Sequence, residues 1–320
     1  MSDPRTVPDA SEARTRDEWL TALDEIGEES GYFEPLGARH WSFFCDAGPV
    51  LLVTFETLAT IRARSPGQMP HGHDIARRNG WSHLCLIADG ETWYRDPRVW
   101  GYFDRLVDEA FFEDFDRVVF HGAGQGAYAA CAFSVAAPGA TVLAIAPRAS
   151  LSPDVARWDK RNPGARRLDF SSRYAYAPAM IEGAEAVFTL HDPGVELDDM
   201  HSALFRRPWV HALHCRGLGA DPEGLLSEMG VIEPMIEAAG RGQLTPRLWH
   251  HLWRARRSFG PWVRATQLRL ATSGNILREA LFLRAAMPTV SSRKMRARYA
   301  ELCKALEDEG IVLEDEPAQA

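Results

Sequence analysis

The sequence predicts an α/β fold: a three-layer sandwich on a mostly parallel sheet, followed by an all-α C-terminal appendage. Three observations predict it. Asp116 to Arg148 reads as strand, glycine turn, small-residue helix and second strand, a βαβ unit that needs a parallel pair. Short apolar runs bounded by Gly, Pro and Asp recur on both sides of it. From Leu225 onward no strand pattern remains, and apolar residues recur at helical spacing.

The elements follow in order. Residues 1 to about 16 are polar and proline-bearing and are expected to be disordered. Asp17 to Glu29 carries Trp19, Leu20, Leu23 and Ile26 at helical spacing among acids, an amphipathic helix with a packing face. Trp41 to Cys45 and Val50 to Phe55 read as strands around an Asp-Ala-Gly-Pro turn. Thr57 to Gly72 reads as loop, Asp74 to Gly80 as a short helix, Ser82 to Ala88 as a strand. Asp96-Pro97 opens a helix through Phe111. In the central unit Val118 to Phe120 is a strand, Gly122 to Gly126 the turn, Ala127 to Ala137 the helix, and Thr141 to Ala146 the next strand.

Residues 147–178 are too long for an ordinary connection and are expected to form a lid-like excursion. Ala186 to His191 and Trp209 to Cys215 are the last strands, with a short helix at Asp199 to Phe205 between them. The predicted organisation is an acidic start (1–34), an α/β domain (35–225) and a helical region (226–320). The tail from Glu314 is expected to fray.

Composition narrows the function classes. Apolar residues make up 46% of the chain, enough for a sizeable core, and no apolar run approaches the roughly 18 residues of a membrane span. The N-terminus lacks the apolar segment of a secretory signal. The five cysteines are scattered, without metal-ligand spacing, and are expected to be buried thiols in a reducing cytoplasm. The net charge of −8 conceals a basic stretch: Arg247 to Arg298 has 12 Arg or Lys against Glu279. An acidic chain start facing a basic end, within one chain or between copies, is the simplest use of that split. Self-association or a protein partner through the C-terminal helices is a further expectation. Nucleic acid is not expected for a chain of pI 5.8.

The order of elements resembles the α/β-hydrolase superfamily, whose strand-to-helix elbow reads G-x-nucleophile-x-G. Gly122 and Gly126 match the flanks, and Tyr128-Ala129-Ala130 matches the start of the elbow helix. The nucleophile position is Gly124, which has no side chain. For the acid, the resemblance points to Asp192, the one weak catalytic candidate. For the base it points to the loop after the last strand, which holds no histidine; His201, His211 and His214 lie elsewhere. An ordinary Ser-His-Asp mechanism is therefore not expected. What remains is an anion or carbonyl site on the amides of Gly124, Gln125 and Gly126 beside Gly122: a pseudo-hydrolase, or a protein that binds a small acidic or acyl-bearing ligand, with no cofactor and no metal. His71 and His73 flank Gly72 but lack the further ligands of a zinc site.

The same turn also fits G-x-G-x-x-A, a dinucleotide fingerprint built on Gly122, Gly124 and Ala127, with Arg148 placed to meet the 2′-phosphate of NADP. This alternative is an NADP-dependent oxidoreductase. It requires the fingerprint to sit on the first strand of a 3-2-1-4-5-6 sheet.

PVLLVTFET, GWSHLCLIADGETWYRD, RVWGYFDRL and SVAAPGATV resemble a bacterial family often labelled phosphoadenosine phosphosulfate reductase. Reductases of that name use an SGGKDS-type loop and a catalytic Cys beside Glu and His. No such loop occurs here, and Cys303 stands in Ala300-Glu301-Leu302-Cys303-Lys304. The label therefore transfers a reductase activity to no residue. A scaffold acting through the basic C-terminus completes the alternatives.

Overall fold

The computed structural model describes residues 8–313. Eight strands form one sheet: β1 (Gly31–Pro35), β2 (His40–Cys45), β3 (Val50–Thr57), β4 (Ser82–Ala88), β5 (Arg117–Ala123), β6 (Thr141–Ile145), β7 (Ala186–His191) and β8 (Val210–His214). Their order is β1-β2-β4-β3-β5-β6-β7-β8. Only the pairings of β2 are antiparallel; the rest of the sheet is parallel. The helices accompanying the sheet are α1 (Arg16–Ser30), α2 (Leu58–Arg64), α3 (His71–Asn79), α4 (Pro97–Asp108), α5 (Gln125–Phe133), α6 (Pro153–Ala156), α7 (Ala177–Met180), α8 (Glu196–Leu204), α9 (Pro222–Glu228) and α10 (Ile232–Gly240).

Both faces of the sheet are covered, as parallel strands require. On one face, alternate residues Leu51, Val53 and Phe55 of β3 meet α4 and α5. Phe103 and Phe133 stack there with centroids 4.2 Å apart, and Phe55 stacks 5.9 Å from Phe133. Trp19, Leu23 and Ile26 of α1 bury with Trp41 and Phe43 of β2 in a separate cluster. The stripe of α1 is thus a packing face, and Thr15 and Glu18 close a capping box at its start.

Local sequence missed three features. β1 was hidden in the acidic start; it pairs Tyr32 with Phe44 and Phe33 with Phe43 at the sheet edge. α2 lies in the stretch expected to be loop, with only Leu58 and Ile61 buried, too few to show a period. α3 starts at His71 rather than Asp74, because Glu56, distant in sequence, accepts from the His71 and Gly72 amides. The disorder expected at the start also needs revision. Ala10 is buried and its amide donates to Gly67 O at 2.9 Å. The parts of that expectation at 1–7, and the fraying expected at 314–320, lie outside the described residues.

The chain divides into two compact units at Pro246/Arg247 rather than at 226. α9 and α10 stay with the first unit, where Met235 and Ile236 of α10 are fully buried and the helix packs on β5. The second unit holds α11 (Pro246–Leu252), α12 (Gly260–Thr272), α13 (Ile276–Ala286) and α14 (Arg293–Asp308). Val263, Leu283, Leu302 and Leu306 form its core. Buried Glu279 is gripped by Arg298 through bonds of 3.0 and 2.9 Å, a bidentate pair. Among the described residues no helix is long and apolar enough to cross a membrane.

Candidate functional site

β5 ends at Ala123 and α5 begins at Gln125, so the chain reverses at a single residue, Gly124 (φ 55°, ψ −115°). The flanking glycines are sterically required. A Cβ on Gly122 would lie 2.4 Å from backbone atoms of Gly126, and one on Gly126 would lie 2.3 Å from Phe55 O. A Cβ on Gly124 would meet nothing within 4 Å. The turn therefore has the shape that a G-x-nucleophile-x-G motif demands, with open space where a nucleophile would project. β5 lies between β3 and β6, with sheet on both sides. The fold is α/β-hydrolase-like.

No family model matches the chain, and no curated protein matches it. Solved structures similar to it include the capsule O-acetyltransferase of Neisseria meningitidis serogroup A (12% identity, 62% of this chain and 91% of that chain, TM-score 0.42). Others are a Pyrobaculum calidifontis esterase (13%, 71% and 89%, TM-score 0.39) and Est1E from Butyrivibrio proteoclasticus (13%, 65% and 98%, TM-score 0.39). At such identities the fold assignment rests on the strand order and the turn.

The other catalytic positions have structural duties. Asp192 follows β7, but both its carboxylate oxygens serve backbone amides. Oδ1 accepts from Gly194 N at 2.9 Å; Oδ2 accepts from Gly217 N and Gly219 N at 2.9 and 2.8 Å. The carboxylate folds the loop after β8 instead of orienting an imidazole. His211 packs on Phe188 and His214 on His191, with centroids 4.9 and 5.2 Å apart. His201 is sealed in the 147–178 excursion.

The amides also differ from expectation. Gly124 N–H is taken by Ile145 O at 2.9 Å, because β5 still extends its ladder there. Gln125 N–H and Gly126 N–H, in the first turn of α5, have no acceptor among the described residues. The Gln125 side chain points away from that opening. Its Oε1 accepts from Thr92 N and Trp93 N, and its Nε2 donates to Gly90 O. These bonds hold a loop in which Trp93 and Tyr94 both have positive φ, 53° and 54°.

Beside the elbow lies a cleft of about 180 Å³. Thr57, Arg64, His71, His121, Gly126 and Glu223 are on its walls. Arg64 bridges Glu223 at 2.5 Å. The polarity of this wall comes from one sheet face. Leu51, Val53 and Phe55 look toward α5, so Thr54 and Glu56 look the other way, as do His83 and Cys85 of β4 and His121 of β5. Burial pushes His121 down to about 4.

A possible metal set, Glu56, His83 and Cys85, brings its ligand atoms within 4.8 Å of one another at the back of this wall. Hydrogen bonds tie the set together, although His83 Nδ1 is buried without a partner among the described residues. Glu56 accepts from His71 N, Gly72 N and Thr54 Oγ1, and Thr54 Oγ1 lies 2.9 Å from His83 Nε2. His71 and His73 diverge, His71 toward the cleft and His73 against Phe43.

The dinucleotide alternative meets neither of its conditions. Its fingerprint lies on the fifth strand, inside the sheet and not at the start of a 3-2-1-4-5-6 order. Arg148 is half-enclosed, bonded to Asn162 and stacked 5.1 Å over Trp93. Beside it is a sealed charged cluster. Asp159 accepts from Arg161 and from His201 Nε2 at 3.0 Å, while His201 Nδ1 accepts from Ala149 N at 3.2 Å. Arg161 continues to Asp198 at 2.7 Å. Burial raises Asp159, but its bonds from Arg161 and His201 outweigh this and hold the carboxyl well below its usual range. The excursion packs on α5 through Phe170, 5.5 Å from Tyr128, and puts no residue on the cleft wall, so it does not form a lid over that cleft.

The sequence reading missed His121, Glu56, Arg64 and Glu223. One signal was available for His121: it alternates with core-facing Phe120 and directly precedes Gly122. The Arg64–Glu223 pair is 159 positions apart and has no local signal.

Proposed function

We propose that this chain binds a small acidic or acyl-bearing ligand at the amide end of α5 and performs no acyl transfer through an elbow nucleophile. One observation carries the reading. The turn keeps the backbone of a nucleophile elbow at Gly124 while presenting no side chain into the space beyond it. Binding needs only the Gln125 and Gly126 amides, at the positive end of a helix. Covalent chemistry needs a nucleophile and a base, and the position of neither carries one.

The test combines reactivity and binding. Wild-type protein treated with a fluorophosphonate probe is expected to remain unlabelled by intact-mass measurement. Butyrate is expected to raise its melting temperature in a concentration-dependent way. Stoichiometric labelling would show a nucleophile that this reading lacks. NADPH binding with butyrate inert would favour the dinucleotide alternative instead.

A further inference from the structure

We infer that the cleft beside the elbow accepts a small hydroxy-carboxylate, its acid oxygen on the Gln125 and Gly126 amides and its hydroxyl donating to Nε2 of His121. The inference rests on the binding reading above and specifies its ligand.

The argument starts from one hydrogen bond. His121 Nδ1 lies 2.9 Å from Leu143 O. A carbonyl oxygen only accepts, so Nδ1 carries the proton and Nε2 carries the lone pair. The side chain is only 7% exposed, and no described residue partners Nε2. It is absent from the fully sealed polar atoms that lack partners, so its remaining exposure is toward the cleft it lines. A nearly buried acceptor without a donor is costly, and here the missing donor can come only from what enters the cleft. The imidazole keeps this form at neutral pH, because burial, with nearby His71 adding to it, disfavours its protonation.

The same opening holds the reverse requirement. Gln125 N–H and Gly126 N–H are donors lacking acceptors, at the start of a nine-residue helix. Two donors and one acceptor on one cleft wall match a molecule with an oxygen acceptor and a hydroxyl. A plain carboxylate satisfies the amides and leaves Nε2 unmet. Water could meet Nε2, and the experiment separates that case.

The full-length protein is titrated with 3-hydroxybutyrate and with butyrate by calorimetry. The wild type is expected to prefer the hydroxy acid by about tenfold, a difference of about 1.4 kcal/mol. His121→Asn can still donate to Leu143 O from its amide and lacks the distal nitrogen. It is expected to bind butyrate as the wild type does and to lose the preference. A nitrogen-15 spectrum of wild-type histidines gives a readout independent of any variant: the His121 Nε2 signal should shift with 3-hydroxybutyrate and not with butyrate. Equal affinity for the two acids, or a preference that survives in the variant, overturns the inference and leaves the elbow reading intact. Failure of both acids to bind overturns both.

Discussion

The elbow and the 147–178 excursion sit against the same helix, α5, and are opposite in kind. At the elbow the backbone is tightly specified and the turning residue has no side chain. In the excursion the backbone is mostly irregular, yet its Arg148, Asp159 and Arg161 form a dense charged network with Asp198 and His201 of α8. One region retains a shape without the usual chemistry. The other has strongly interacting charges that are sealed in and act as structure. A perturbed titratable group therefore does not by itself mark the open site in this molecule: burial holds His201 in the cluster and His121 on the cleft wall alike at about 4, and what distinguishes His121 is the cleft it lines.

The sharpest way to break the comparison is to disturb the backbone of the elbow. Gly122→Ala places a methyl 2.4 Å from backbone that has nowhere to move, since Gly126 is itself packed against Phe55 O. A loss of more than about 4 kcal/mol is expected in urea unfolding. A variant as stable as the wild type would show that the elbow is not held as described.

The corresponding test in the excursion removes its central acid. Asp159→Ala removes the shared partner of fully buried His201 and of partly buried Arg161, which keeps Asp198. About 3 kcal/mol should be lost, with the effect read by unfolding and not by ligand affinity. A variant that keeps its stability but loses butyrate binding would make the cluster part of the site.

How much of this was legible follows from the range of the interactions. The elbow is written within five residues, Gly122 to Gly126, and its steric requirements are mutual, so a motif reports them. The strand pattern was likewise local, which is why the sheet could be anticipated apart from β1. The cleft wall depends on register: Thr54 and Glu56 of β3 face the same way as His83 of β4 and His121 of β5 only once the strands pair as β4-β3-β5. Glu56 caps α3 across 15 positions, and Asp159 finds His201 across 42. Asp192 was visible as a residue, but its task of folding the 217–219 loop depends on amides 25 and 27 positions away.

Gln125 joins the regions and should give a smaller effect. Its side chain holds Gly90, Thr92 and Trp93 of the loop before α4, and Trp93 in turn carries Arg148. Gln125→Ala is expected to cost about 2 kcal/mol, chiefly through the Trp93 amide it leaves unpaired, since Thr92 N still donates to Gly90 O at 3.1 Å. Hydrogen exchange at Thr92 and Trp93 should rise more than at the β5 amides; equal changes throughout would argue for a global loss and not for release of this loop.

Acid separates the regions by titration. His201 is neutral when folded, with its Nδ1 accepting from Ala149, and burial holds it at about 4 against an ordinary value near 6.5. The unfolded chain takes up a proton first, so stability is lost as pH falls from about 6.5 to about 4. Asp159, held low, contributes fully above its unfolded value and loses its contribution only in stronger acid. Between pH 7 and 4.5 the melting temperature should fall by at least roughly 2–4 °C. His201→Gln should flatten that dependence in part, since His40 and His121 are also held at about 4 by burial. An unchanged slope would place the acid sensitivity outside the excursion.

The smallest expected effect is at the residue that turns the chain. Gly124→Ala meets no atom within 4 Å and is opposed only by its positive φ, a cost of about 1–3 kcal/mol. It should therefore keep more of its stability than Gly122→Ala does. Its methyl would project into the opening beside Gln125 and Gly126 without removing their amides. If these amides hold the ligand, Gly124→Ala should weaken butyrate binding while remaining folded. That outcome would separate the two roles of the elbow glycines, with Gly122 and Gly126 required for the turn and Gly124 keeping its mouth open. Unchanged butyrate affinity in a folded Gly124→Ala protein would place the ligand away from this turn.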